Sequence, residues 1–335
     1  MVQLRTKQLR RKVRELDEHI FEDYKKIRAE EKVKRDHAGY ERDFMKRLKE
    51  AVKNLEPLID KATKNFSVYK GKGGKPKLSL NKKLRMILVK QLVDKSNRSM
   101  AYLAGVFSTI AEVDVSYKTV ERLYSDPEVY FALHNLFVLL LKQKNVDNID
   151  GSGDATGYSL IISKHYSSIV QKLKEKAKKQ GKNKKKIFVF KFVILDLKTR
   201  LYVCYGTSLV SEKKAFEKAI KMLKDLGIKI NSIRLDKYYS FPSYFKFFPN
   251  ATIYIIPRKN SKLGHGTAWL RTMKKFVQDT TNYLREYYKR EASENSFGCD
   301  KKMFGWKINQ KREDRIDTAA FIKTIWHNLI WTYKN

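Results

Sequence analysis

Two cysteines, Cys204 and Cys299, are all that 335 residues carry. They are too few for a disulfide framework or a four-thiolate zinc site, which suits a reducing compartment. No apolar run is long enough to cross a bilayer: Phe131 to Leu141 falls well short of the ~20 residues a spanning helix needs. The amino terminus has charge but no apolar signal core. His134, His165, His265 and His327 are scattered without ligand spacing, so none is assigned to a metal. His327, beside Trp326, is expected in the core. Acids are scarce: 36 Asp and Glu stand against 72 Lys and Arg, leaving a formal charge of +36. The expected protein is cytoplasmic, has no membrane partner, and meets a polyanion, by default nucleic acid.

The length allows roughly two domains, and the texture divides them further. Residues 1–65 hold Leu9, Val13, Leu16, Ile20 and Tyr24 at three- and four-residue steps, which predicts a helical arm. Residues 66–80 form a Gly/Lys connector whose lysines suit backbone phosphates. It lacks the Gly-Lys-Ser/Thr of a phosphate-cradling loop. Residues 81–145 are helical in pattern. Within them Ser99 to Ile110, a turn, and Ser116 to Tyr124 read as a helix-turn-helix. Leu103, Val106 and Phe107 would pack against Val115, Val120 and Leu123. Tyr117, Lys118, Thr119, Glu121 and Arg122 would then face outward, with Tyr117, Lys118 and Arg122 the DNA-binding candidates.

From residue 146 to 335 the texture changes to strands. Val146 to Ser163 opens, and Ile187 to Asp196 with Leu201 to Leu209 forms a hairpin. A helix from Ser211 stops at Gly227, and Ile230 to Asp236 is a strand. A short helix over Phe241 to Phe248 and a strand over Ala251 to Pro257 follow. A long helix then carries Glu294, and a last helix, Thr318 to Tyr333, is core. The order β-β-β-α-β-α-β-α is that of an RNase H-like domain. The expected class is therefore α+β: a helical amino-terminal DNA-binding region, then an RNase H-like α/β domain with a mixed five-stranded sheet. The lysine-rich stretch 172–186 between the first two strands is expected to track duplex phosphates.

Tyr287, Arg290 and Glu294 fall at i, i+3 and i+7, on one face of a helix. A carboxylate there binds hard cations, while the guanidinium and phenol hydrogen-bond phosphate oxygens. Asp154, in Gly-Asp154-Ala-Thr-Gly, and Asp236, in Leu-Asp236-Lys-Tyr-Tyr, are candidates to complete the set. In the element order above their strands are neighbours at the sheet centre. Asp154, Asp236 and Glu294 are thus both the metal-ligating and the catalytic candidates, for two Mg2+ ions about 3.5–4 Å apart. Alternatives stand: Asp147 and Asp150 compete for the first role, Asp236 has a bland use as a turn cap, and Glu286 and Glu291 share the helix. Trp269 either packs or stacks on a flipped base.

With Lys301 added, the chain resembles a DDE-type insertion-sequence transposase of the group marked by Tyr-x2-Arg-x3-Glu-x6-Lys. Tyr287, Arg290, Glu294 and Lys301 match every spacing. The run Ser293-Glu-Asn-Ser-Phe-Gly-Cys-Asp-Lys-Lys-Met-Phe-Gly-Trp306 is similar to archaeal members, and the likeness is expected over residues 81–335. It implies Mg2+-dependent cleavage of double-stranded DNA at terminal inverted repeats, with Mn2+ able to substitute. Attack of the freed 3′-hydroxyl on target DNA would follow. Tyr287 and Arg290 would contact phosphate near the scissile bond and Lys301 one alongside, with Gly298 bending or ending the helix between. A homodimer on paired DNA ends, associated with the nucleoid, is the implied assembly. About twenty residues between the fifth strand and the glutamate helix leave no room for a large β-rich insertion. Two rivals remain: a sequence-specific DNA-binding protein with an inert fold, and a structure-selective nuclease.

Overall fold

A computed structural model describes residues 4–16, 20–30, 36–64, 78–92, 115–160, 188–264 and 266–334. The first helix of the helix-turn-helix, most of the glycine connector and the lysine-rich stretch lie outside them. Among the described residues four helices come first. In α1 (Thr6–Glu15) and α2 (Phe21–Glu30), Leu9, Val13 and Tyr24 recur at helical spacing and are buried. α3 (His37–Lys53) starts where Asp36 accepts from the Gly39 N–H, and α4 (Leu55–Thr63) follows directly. α5 (Leu80–Leu92), α6 (Tyr117–Leu123) and α7 (Pro127–Gln143) complete the helical half.

Strands β1 (Asn148–Leu160), β2 (Phe188–Asp196) and β3 (Tyr202–Ser208) form an antiparallel meander. The β2–β3 turn is fixed by Asp196, whose carboxylate accepts from the Thr199 N–H at 2.8 Å. After α8 (Glu212–Asp225), β4 (Lys229–Leu235) pairs parallel with β1. Beyond a 3-10 turn (Lys237–Tyr239) and α9 (Pro242–Phe245), β5 (Thr252–Tyr254) adds parallel to β4. The spatial order is β3-β2-β1-β4-β5. Then come α10 (Thr267–Gln278), α11 (Thr280–Tyr288), α12 (Glu291–Phe304), β6 (Lys307–Ile308) and α13 (Glu313–Thr332).

α8 covers one face of the sheet, so close to β3 that a side chain at Gly206 would overlap the Ala215 carbonyl. On the opposite face Ser152 of β1 meets Ser293 of α12, and Tyr205 of β3 stacks on Phe321 of α13. α13 is the central helix. Phe321, Ile325, Trp326, Leu329 and Ile330 are buried as expected. The same helix also touches the amino-terminal half: the Trp326 indole donates to the Leu88 carbonyl at 2.9 Å. Arg47 of α3 lies 4.6 Å over the Trp331 ring.

Three expectations are corrected. Among the described residues the sheet has six strands, because β6 pairs with the far end of β1 at Ser159 and Leu160. Two residues with no alternation leave no sequence signal for such a strand. The helix carrying Glu294 is three helices, interrupted at Asp279 and at Lys289–Arg290. Asp279 accepts from the Asn282 N–H and starts a new helix in place of continuing the old one. Gly298 does not end α12, which runs on to Phe304 and stops before Gly305 at φ 79°. Among the described residues no helix is long and apolar enough to cross a membrane.

Candidate active site

Register places the first two acids. Gly153 of β1 pairs with Leu235 of β4, so Asp154 and Asp236 are the next residues on adjacent parallel strands, which run about 4.8 Å apart. Asp236 leaves the strand as the cap of the 3-10 turn, accepting from the Tyr238 N–H at 2.8 Å. The bland use of Asp236 is therefore real, and it leaves the second carboxylate oxygen uncommitted to the cap. That oxygen, Oδ2, lies 3.5 Å from Arg290 Nη1. The same nitrogen donates to Glu294 Oε1 at 2.5 Å. One guanidinium thus bridges the second and third acids.

Asp154 is half-buried beside them. Burial pushes its carboxyl up to about 7. The Ala155 N–H and Arg290 pull it down, and the charges of Glu294 and Asp236 push it up. Like charges raise one another only at short range, so the three acids share one electrostatic neighbourhood. Arg290 is held charged: burial opposes this, but Tyr287, Glu294 and Asp236 outweigh it.

Arg290 sits in a tightened turn between α11 and α12. The Arg290 N–H reaches the Tyr287 carbonyl at 3.1 Å and the Ser293 N–H reaches the Arg290 carbonyl at 3.0 Å, both i→i+3 bonds. The three motif residues therefore do not share one regular helix. Arg290 and Glu294 still meet, and the Tyr287 ring lies 5.3 Å beneath the guanidinium. Tyr287 is buried, unlike an open phosphate contact. Lys301 sits two helical turns beyond Glu294, its ammonium 5.5 Å from the Tyr158 ring and 5.1 Å from the exposed Trp306 ring. Burial lowers its pKa.

The competing acids are accounted for. Glu291 is bound by Arg28 through two bonds of 2.6 and 2.9 Å. Glu286 accepts from Arg234 and from Lys289; burial raises its pKa, but these two donors hold it below the usual range. Asp150 accepts from Ser232 near the start of β1, and Asp147 is exposed. Trp269 packs: its indole donates to the Lys262 carbonyl at 2.7 Å and its ring meets Phe245 edge-on at 5.0 Å. His327 is a core residue, between Asp300 at 2.8 Å and the Arg200 carbonyl at 2.9 Å.

Several supporting residues escaped the sequence reading. The Ser152 hydroxyl reaches the Arg290 carbonyl at 3.1 Å and Ser293 at 2.9 Å, tying the turn to β1. Buried Arg234 donates to the Glu286 carbonyl at 3.2 Å, tying α11 to β4. An arginine inside Ile233-Arg234-Leu235 was the available signal, since a buried strand charge demands a partner. Glu212 is a fourth acid nearby, held by the Tyr239 hydroxyl at 2.5 Å; burial raises its pKa and the charge of Asp236 adds to this.

Three carboxylates are a hard-oxygen donor set that fits a divalent cation. Among the described residues no three His, Cys, Asp or Glu side chains are placed to hold a metal ion; Arg290 is paired with both Asp236 and Glu294. The Glu294 side chain, though paired with Arg290, is 48% exposed.

On α6, Ser116 caps the helix through the Thr119 N–H at 3.3 Å, and Val120 and Leu123 are buried. Tyr117, Lys118 and Arg122 face solvent as expected. Glu121 does not: it is half-buried and paired with Arg315, which reaches across from α13.

No protein-family model and no solved structure matches the chain. A curated relative, the probable transposase for insertion sequence element ISA1214 of Archaeoglobus fulgidus, is 43% identical over 319 residues. The match covers 95% of this chain and 94% of the relative. It is longer than the stretch 81–335, so the likeness extends into the amino-terminal helices. On that identity across nearly both full lengths, the chain belongs to the insertion-sequence transposases.

Proposed function

We propose that the protein is a DDE transposase of RNase H-like fold, with Asp154, Asp236 and Glu294 as its catalytic acids. The observation that carries this reading is their convergence on Arg290 from three separated segments. The β3-β2-β1-β4-β5 order, with the two aspartates immediately after the last paired residues of β1 and β4, supports the fold assignment. The partner is double-stranded DNA, element ends and target, bound by a homodimer.

The three acids would hold two Mg2+ ions, Mn2+ substituting, which when bound activate the attacking oxygen and stabilise the leaving oxygen. The chain's own groups do the rest. Burial favours the protonated form of Asp154, and a bound cation would displace that proton. Glu294 must turn away from Arg290, which frees the Arg290 donors for a phosphate oxygen. Tyr287 supports the guanidinium from below and is too buried to approach DNA without a local opening. Lys301 lies far enough along α12 to neutralise a neighbouring phosphate. Tyr117, Lys118 and Arg122 present a short basic face to a duplex. Cleavage at the terminal repeats would leave a 3′-hydroxyl for joining to target DNA.

The test uses the full chain and a duplex carrying the element's terminal repeat, found as short inverted repeats flanking the reading frame. Glu294→Gln should bind that end as the parent does and lose Mg2+-dependent nicking by about 10^3-fold or more. A parent that binds ends but never nicks would identify an inert DNA-binding protein. Nicking without end preference or strand joining would identify a structure-selective nuclease.

A further inference from the structure

We propose that α2 is a positioning element of this site. Phe21, Tyr24 and Arg28 clamp Tyr288 and Glu291, the residues on either side of the Lys289–Arg290 turn, and so hold Arg290 between Asp236 and Glu294. The catalytic consequence rests on the nuclease reading above; the clamp itself does not.

Phe21, Tyr24 and Arg28 stand at i, i+3 and i+7, one face of α2. The Tyr24 ring stacks on Tyr288 with centroids 4.8 Å apart and planes 14° apart. Phe21 meets the Tyr288 ring edge-on at 6.4 Å. The Arg28 guanidinium lies 5.8 Å over that ring and grips Glu291 with both arms, at 2.6 and 2.9 Å. A solvent-exposed ion pair alone contributes little. Here the fork rests on a stacked ring pair, so orientation is set by two contacts of different kind.

The clamped segment is one that needs holding. Its i→i+3 bonds run from the Lys289 N–H to the Glu286 carbonyl at 3.3 Å through to the Ser293 N–H and Arg290 carbonyl at 3.0 Å. Such a turn advances ~120° per residue against ~100° in an α-helix, so relaxation would rotate Arg290 off the acids. Ser152 and Arg234 brace it from the sheet side, and α2 closes the outer side.

The experiment reverses and then swaps the pair in the full chain: Arg28→Glu, Glu291→Arg, and both together. Arg28→Gln serves as a milder variant should a reversal fail to fold. Amide hydrogen exchange over residues 286–294, thermal melting, end binding and Mg2+-dependent nicking are read on each. Each reversal should speed exchange in that segment about tenfold and slow nicking about tenfold, with melting and end binding near parental. The swap should restore both. Parental exchange in the single variants overturns the clamp. Faster exchange with parental nicking overturns its positioning role, as does a well-folded swap that restores neither. Should the parent and Glu294→Gln both fail to nick, the nuclease reading falls, and exchange alone decides whether α2 holds the turn.

Discussion

Asp154 and Tyr158 stand on the same face of β1, four residues apart, in surroundings that differ in kind. Around Tyr158 the polar groups are sealed. Asp300 accepts from the Tyr202 hydroxyl at 2.9 Å and meets His327 at 2.8 Å, and the His327 ring stacks on Tyr202 at 3.8 Å. Lys191 is fully buried there, its pKa pushed down to about 8 by burial although Asp300 pulls it up. Among the described residues its ammonium has no hydrogen-bond partner. Around Asp154 the acids crowd, repel, and keep oxygens toward solvent. Buried polar groups with partners, as Asp300 and His327 have here, specify packing. Acids gathered in a partly open site around one shared arginine keep capacity for a ligand.

The contrast can be broken most directly at the open end. Asp154→Asn and Asp236→Asn should each abolish nicking as Glu294→Gln does, by about 10^3-fold or more, while melting stays at or above the parental temperature. A stability loss matching the activity loss would make the two ends alike. At the sealed end the opposite is expected. Asp300→Ala or His327→Ala should cost about 3–5 kcal/mol in denaturant unfolding, yet leave nicking per folded molecule near parental. Loss of nicking in a stably folded variant would erase the distinction.

Protons sharpen it further. The folded Asp154 carboxyl titrates near 7, well above the ordinary carboxylate value, so the metal-free protein keeps a proton that a bound cation must displace. Below pH 7 the Mg2+ concentration for half-maximal nicking should rise about tenfold per pH unit, levelling off above 7. A flat response between pH 6 and 8 would contradict the crowded-acid account. The smallest effect belongs to α6. Lys118→Ala and Arg122→Ala should weaken end binding several-fold, and each should lower the salt slope by about one if its cation neutralises one phosphate. An unchanged slope would remove that helix from the interface.

The fold was legible where pattern is strong. The meander, the helix from Ser211 to Gly227 and the buried stripe of α13 follow directly from alternation, a cap and helical spacing. The candidate site was legible because Asp154 falls on the first strand, Asp236 follows the last residue of the fourth, and Glu294 carries a spaced companion, Arg290. The break at Lys289–Arg290 was not, since Tyr287, Arg290 and Glu294 fit a continuous helix equally well. Ser152 and Arg234 were overlooked because their partners lie 138 and 52 residues away. Glu121 was misjudged because its cation, Arg315, comes from α13.

From the chain alone come a polyanion partner, the alternation of strands and helices, and the spacing of the acids, all functions of residue type and local order. The tertiary structure decided which oxygens of Asp236 and Glu294 face Arg290, which glutamates are spent on ion pairs, and that α2 grips the turn beside the site. Those depend on contacts between segments up to 263 residues apart, where register and helix packing, rather than local preference, set which charges meet.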